Sequence, residues 1–168
     1  MKTTFLLILF AFLIVGCGKK SDKDYFDSAE KSVNQRNIQE AIKSYETLIK
    51  EYPDSKLAPE ALTKMASLYM NQSDSTLNRQ QSFLKAAGFF REVYDKYPNS
   101  KQAATALFMS GFVLSNDLNR YDQATMTYRL FLEKFPNHKL ANSAKEELNN
   151  MGMPPEDILK KNSKAKSI

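Results

Sequence analysis

Cysteine, tryptophan, histidine and glycine are scarce in this 168-residue chain, which has one Cys, no Trp, one His and five Gly. One Cys excludes a disulfide framework, and one Cys with one His leaves no thiolate or Cys/His zinc set. Five Gly and six Pro exclude a collagen-like or low-complexity chain. The one long apolar run, the eleven residues Phe5 to Val15, is shorter than the roughly 20 that a membrane-spanning helix needs. What is present is 42% hydrophobic and 26% charged residues, in a length that suits one domain. Lys and Arg number 24 against 19 Asp and Glu, for a formal charge of +5 and a pI near 9.2. That balance alone points to nucleic acid or an anionic membrane. Position separates the two, because Tyr25 to Gly152 holds sixteen bases against fifteen acids. The excess lies at the ends, in Lys19, Lys20 and Lys23 and in Lys160, Lys161, Lys164 and Lys166. A nearly neutral middle argues against a nucleic-acid partner and for a scaffold beside a membrane.

The amino terminus reads as an address. Lys2 followed by the apolar run has the form of a secretory signal, residues 1–16. Ile14-Val15-Gly16-Cys17 resembles a bacterial lipobox. The resemblance implies diacylglycerol on the Cys17 thiol, cleavage before Cys17 and an acyl chain on the new amine. No other cofactor is expected. Two or three chains on one residue give lasting attachment where one would be marginal. Residues 17–22 then form the lipidated end and a hydrophilic leash, with Lys19 and Lys20 within reach of anionic headgroups. Gly18, where an acidic residue would mark inner-membrane retention, points to the periplasmic face of the outer membrane rather than to the inner membrane.

The rest of the chain repeats itself. Ala41, Tyr45, Leu48 and Pro53 recur as Ala86, Phe90, Val93 and Pro98, and again as Ala124, Tyr128, Phe131 and Pro136. Positions i, i+4 and i+7 share one helix face, and Pro ends the helix by pushing the residue before it out of the α region. Upstream of each lies a second helical pattern around a small residue: Ala29 within Tyr25 to Asn34, Ala66 within Ala58 to Asn71, and Gly111 within Ala103 to Leu114. Each unit is therefore a helix hairpin. Ala29 stands twelve residues before Ala41, whereas the second unit carries eight more in this interval and the third carries one more. A last helix from Leu140-Ala141 to Asn150, with Ala141, Ala144 and Leu148 on one face, supplies the polar-backed end that a solenoid needs.

This pattern resembles the tetratricopeptide repeat. The fold it implies is all-α, a right-handed α-solenoid of about three hairpins over residues 23–152 with a C-terminal capping helix, followed by a basic, flexible tail at 153–168. The Tyr/Phe-Pro-Asp/Asn-Ser/His-Lys turns and their longer link look like those of outer-membrane assembly lipoproteins of the BamD type and of Tol–Pal-associated proteins, although this chain is shorter. Such a resemblance implies a lipid-anchored envelope scaffold, attached to the membrane through its lipid, that binds another envelope protein or peptide segment. Its alternative is an accessory that holds a cell-wall fragment or small ligand within the array.

The inventory for catalysis is thin, and no enzyme is expected. His138 occupies a turn position equivalent to Ser55 and Ser100, no phosphate-cradling Gly-rich loop is present, and Glu146 and Glu147 read as solvated surface. In tetratricopeptide arrays the first helix of each unit lines the groove. Carried over, this implies Phe26 and Glu30 in the first unit, Thr63 and Ser67 in the second, and Phe108 and Phe112 in the third, with Asn71 and Asn116 near the helix ends. Phe108 and Phe112, at i and i+4, form an apolar stripe suited to an amphipathic helix or extended peptide. The same two rings also fit a role in packing against the terminal helix. The residues that clamp a C-terminal carboxylate in some arrays are replaced by Glu30, Ser67 and Phe112, so a free chain end is not the ligand implied.

Overall fold

A computed structural model describes residues 19–154 and 156–160. The expected signal segment and Cys17 lie outside the described residues, as do 161–168 of the expected tail. Seven α-helices follow in order: α1 Asp22–Asn34, α2 Ile38–Glu51, α3 Ala58–Met70, α4 Arg79–Lys96, α5 Ala103–Phe112, α6 Tyr121–Lys134 and α7 Ala141–Asn150. A π-helical turn, Val113–Asp117, continues α5. The pairs α1/α2, α3/α4 and α5/α6 are antiparallel hairpins stacked in sequence, and α7 closes the stack, so the architecture is the expected α-solenoid.

The stripe residues explain the stacking. Ala41, Tyr45 and Leu48 of α2 are fully buried, as are Ala124, Tyr128 and Phe131 of α6, while Ala86, Phe90 and Val93 of α4 are at most 3% exposed. Opposite each stripe sits the small residue of the first helix. Ala29 and Ala66 suffice in two units, whereas a Cβ on Gly111 would stand 3.0 Å from the buried Tyr128 ring and press it aside by a few tenths of an ångström, so glycine fits the third unit most closely.

The three turns between hairpins are nearly superimposable. Tyr52, Tyr97 and Phe135 cap their helices with φ between −134° and −131° and ψ between 53° and 57°. Each precedes Pro, which forbids continuation of the α-helix. Ser55, Ser100 and His138 then donate their amides back to Tyr52, Tyr97 and Phe135 at 3.0–3.1 Å, closing a β-turn with Pro second. His138 does the work of a serine here: its Nδ1 accepts the Leu140 amide at 3.2 Å, as Ser55 Oγ accepts that of Leu57 at 3.0 Å.

Within each hairpin the connection passes through one left-handed residue, Arg36, Gln72 or Asn119. Two of these turns are Schellman motifs, with Asn37 N bonded to Ser32 O at 2.8 Å and Ser73 N to Leu68 O at 3.0 Å. The third differs by one residue. Arg120 N reaches Leu114 O at 2.7 Å, one position further back, because the extra residue of the third unit is taken up inside the helix as the π turn.

Ser21 caps α1 with a capping box shared with Asp24, so Asp22 belongs to the helix and not to a leash. At the other end residues 156–160 form a helical turn, and Ile158 covers a cavity beside α7.

Candidate functional site

The first helices α1, α3, α5 and α7 stand side by side, tied by polar rungs. Glu30 of α1 accepts from Lys64 of α3 at 3.0 Å and from the Tyr45 hydroxyl of α2. Burial alone would push the Glu30 carboxyl up, but these two donors outweigh it and hold the group below its ordinary value. Burial and the same carboxylate raise the Tyr45 phenol above its ordinary range. Glu60 of α3 faces Lys101, before α5, at 4.0 Å. Asn116 of the π turn donates to Glu147 of α7 at 3.3 Å. The pairs from Glu30 to Lys64, Glu60 to Lys101 and Asn116 to Glu147 join positions 31 to 41 residues apart, so no sequence pattern showed them.

The residues expected in the groove meet different fates. Phe26 is half-buried, its ring edge-on to Tyr45 at 5.7 Å. Thr63 and Ser67 are half-buried, and their hydroxyls bond to Pro59 O and Thr63 O of their own helix. Asn71 caps α3 and lies exposed at the loop end. Asn116 is exposed beside the last helix. Phe112 is half-buried against the apolar cluster that α5, α6 and α7 share.

Phe108 is corrected from groove to core. It is 8% exposed and packs against Tyr128 at 5.4 Å and Phe131 at 5.7 Å, in a cluster that includes Ala141 and Ala144 of α7. The small residues of α7 let the terminal helix settle close by, so the stripe position that is polar in the second unit becomes interior in the third. Phe108 and Phe112 therefore do not form one open stripe.

Two concavities remain on this side of the array. A cleft of about 320 Å³ lies between α3 and α5, lined by Thr63, Phe90, Lys101, Gln102, Thr105 and Ala106. Its floor is apolar and its rim carries Lys101 and the exposed Thr105. A second, polar and partly open cavity of about 280 Å³ is bordered by the π turn, the start of α6, α7 and the segment after it. Ser115, Asn116, Glu146, Glu147 and Asn150 face it, with Met151, Met153 and Ile158 on the far wall.

Among the described residues, no group of three or more His, Cys, Asp or Glu is arranged to hold a metal ion. The tetratricopeptide repeat family pattern matches residues 32–55, 60–100 and 105–138, more than half of the chain. No curated protein matches the chain.

Proposed function

The chain belongs to the tetratricopeptide repeat family, and from that premise we propose that it is a lipid-anchored envelope scaffold that holds another envelope protein against its first helices. Tetratricopeptide repeats typically serve as scaffolds that bind protein partners. The single observation that carries the reading is the apolar-floored cleft between α3 and α5, open on the first-helix face. Thr63 and Thr105 at its mouth suit an inserted apolar side chain of a partner helix or extended segment.

The envelope part of the reading is supported by the sequence: the positively charged start, the apolar run and the lipobox-like Ile14-Val15-Gly16-Cys17. Diacylglycerol and an acyl chain on Cys17 hold the protein at the periplasmic face of the outer membrane. The Tyr/Phe-Pro turns support a likeness to BamD-type and Tol–Pal-associated proteins, and hence a role in outer-membrane protein assembly or envelope maintenance.

A photo-crosslinking residue at Thr105 tests the partner claim in intact cells, with the same group at the exposed Met126 of α6 as the comparison. The expected result is a discrete adduct to an envelope protein from position 105; adducts from 126 alone would overturn the groove assignment. Cys17→Ser is expected to abolish incorporation of a labelled fatty acid, and continued labelling would overturn the anchor.

A second reading, an accessory for a cell-wall fragment or small polar ligand, draws support from the polar cavity beside the π turn. A rise in melting temperature on adding soluble cell-wall fragments, lost in Asn116→Ala, would favour it.

A further inference from the structure

We propose that the edge of the array formed by its three Pro turns is a membrane-facing surface that seats on anionic lipid headgroups; the proposal rests on the envelope reading above for the membrane it meets. Antiparallel hairpins put all the turns between units on one edge, together with the start of α1, and all the connections within units on the other. The contacts bear this out. The Tyr97 hydroxyl donates to Pro53 O at 2.9 Å, which sets the second turn beside the first. The Tyr52 hydroxyl donates to Lys20 O in the same way, and Ser55 Oγ donates to Asp22 at 2.5 Å.

Among the described residues, charge separates the two edges. Residues 19–24, 50–56, 95–101 and 133–139 carry nine lysines against six carboxylates. The opposite edge, residues 35–37, 71–78, 116–120, 146–154 and 156–160, carries three bases against six carboxylates. Every turn ends in an exposed lysine, Lys56, Lys101 or Lys139. Lys56 and Lys139 make no ion pair among the described residues, and Lys101 meets Glu60 only at 4.0 Å, with 82% of its side chain exposed. Among the described residues, the large hydrophobic ones that are exposed, Tyr121, Met126, Met153 and Leu159, all lie off this edge. Attachment through it is therefore electrostatic and peripheral, without insertion.

Direction comes from the amino terminus. Lys19 bonds to Glu51 at 3.3 Å and its ammonium lies 5.3 Å from the centre of the Tyr52 ring, so the chain is held at the turn edge two residues after Cys17. A lipid on Cys17 would deliver this same edge to the bilayer. With all three turns on the headgroups, the helices stand upright and the first-helix groove opens sideways, parallel to the membrane. Each lysine near an anionic surface strengthens partitioning about fivefold, and salt weakens it.

The test uses the full purified chain with a fluorophore on Asn99→Cys at the turn edge or on Gln72→Cys at the other edge. Vesicles contain phosphatidylglycerol or only phosphatidylcholine, and a neutral aqueous quencher reads exposure. The probe at 99 is expected to be shielded on phosphatidylglycerol vesicles alone. Shielding should be lost in high salt and in the triple variant Lys56→Gln, Lys101→Gln, Lys139→Gln, whose helicity is checked by circular dichroism, while the probe at 72 stays open throughout. Equal exposure of both probes on anionic vesicles, or shielding that survives the triple substitution, would overturn the proposal. Mass spectrometry and flotation separate the two readings. A lipidated Cys17 with equal probe exposure sinks the edge alone. An unlipidated chain that floats only with anionic vesicles and loses flotation in the triple variant sinks the anchor alone. An unlipidated chain that floats with neither sinks both.

Discussion

The second and third hairpins both exceed the twelve-residue spacing of the first, by eight residues and by one, and the chain absorbs the two excesses in different places. In the second unit the surplus goes to the ends of elements. Eight residues separate α3 from α4 where three separate α1 from α2, and α4 runs to 18 residues against 14 for α2 and α6. A helix lengthened at its end turns no buried face away from the core. In the third unit the connection stays at three residues, 118–120, and the surplus enters the helix itself as the π turn. One added residue would rotate everything beyond it by about 100° in an α-helix. A π turn accommodates it by moving hydrogen-bond acceptors back one position, as Leu118 N bonding to Val113 O at 3.1 Å shows. Long insertions extend a repeat; single ones deform it.

The deformation is tolerated because the third unit is clamped from both sides, and that clamp gives the largest expected effect. Phe108 and Thr63 occupy the same repeat position, yet Phe108 is enclosed by Tyr128, Phe131 and α7 whereas Thr63 borders an open cleft. Phe108→Ala is expected to lower stability by about 3–5 kcal/mol and Thr63→Ala by roughly 0.5 kcal/mol or less. Chemical denaturation followed by circular dichroism measures both. Equal losses would mean that the third unit is held no more tightly than the second.

The long connection of the second unit has its own fastening. Asp74 is 5% exposed, and its Oδ1 accepts from Gln39 Nε2 of α2 at 2.6 Å, from Thr76 N at 3.0 Å and from Thr76 Oγ1 at 2.6 Å. Burial pushes this carboxyl up, while Thr76, the charge of Lys85 and Gln39 outweigh burial and hold it below its ordinary value. Asp74→Ala strands those donors and is expected to cost about 1–3 kcal/mol at neutral pH. Because the folded group titrates below the unfolded one, its contribution is complete above about pH 4 and disappears as pH falls through the folded value. The gap between wild type and Asp74→Ala should therefore narrow on acidification. A gap that stays constant with pH would remove the carboxylate from the account.

Much of this comparison was legible in the sequence, and the rest was hidden for identifiable reasons. The hairpins, their Pro turns and both surpluses follow from spacing alone, since helical period and the geometry before Pro are local. Whether a surplus becomes loop or π turn is not local: it depends on whether Gly111, Tyr128 and Phe131 hold the helix on either side. The rung from Glu30 to Lys64 joins residues 34 apart and left no pattern. Phe108 stayed open between groove and packing because a repeat position fixes the direction of a side chain and not what packs there, and in the third unit that is α7 instead of solvent. His138 was rightly placed in a turn, but its service as backbone acceptor, the part that Ser55 plays in the first turn, needed the Leu140 amide in position.

The smallest expected effect probes the single surplus residue directly. Deleting Asn116 restores the twelve-residue interval between Gly111 and Ala124 and would let the helix run as α throughout. The Arg120 amide, now bonded six residues back to Leu114, would then reach back five, as Asn37 and Ser73 already do in the other units. Against this gain stand the lost Asn116–Glu147 rung and a shift in the wall of the polar cavity. Hydrogen bonds of this kind contribute about 1 kcal/mol net, so melting should move by no more than a few degrees in either direction and the helical signal should persist. Insertion of one Ala after Leu48, where α2 has no π turn to take it up, is the matching control and should destabilise clearly by rotating the end of α2 and the Tyr52 turn. If the deletion unfolds the array as the insertion does, the π turn is a required element of the third hairpin and not merely the accommodation of an extra residue.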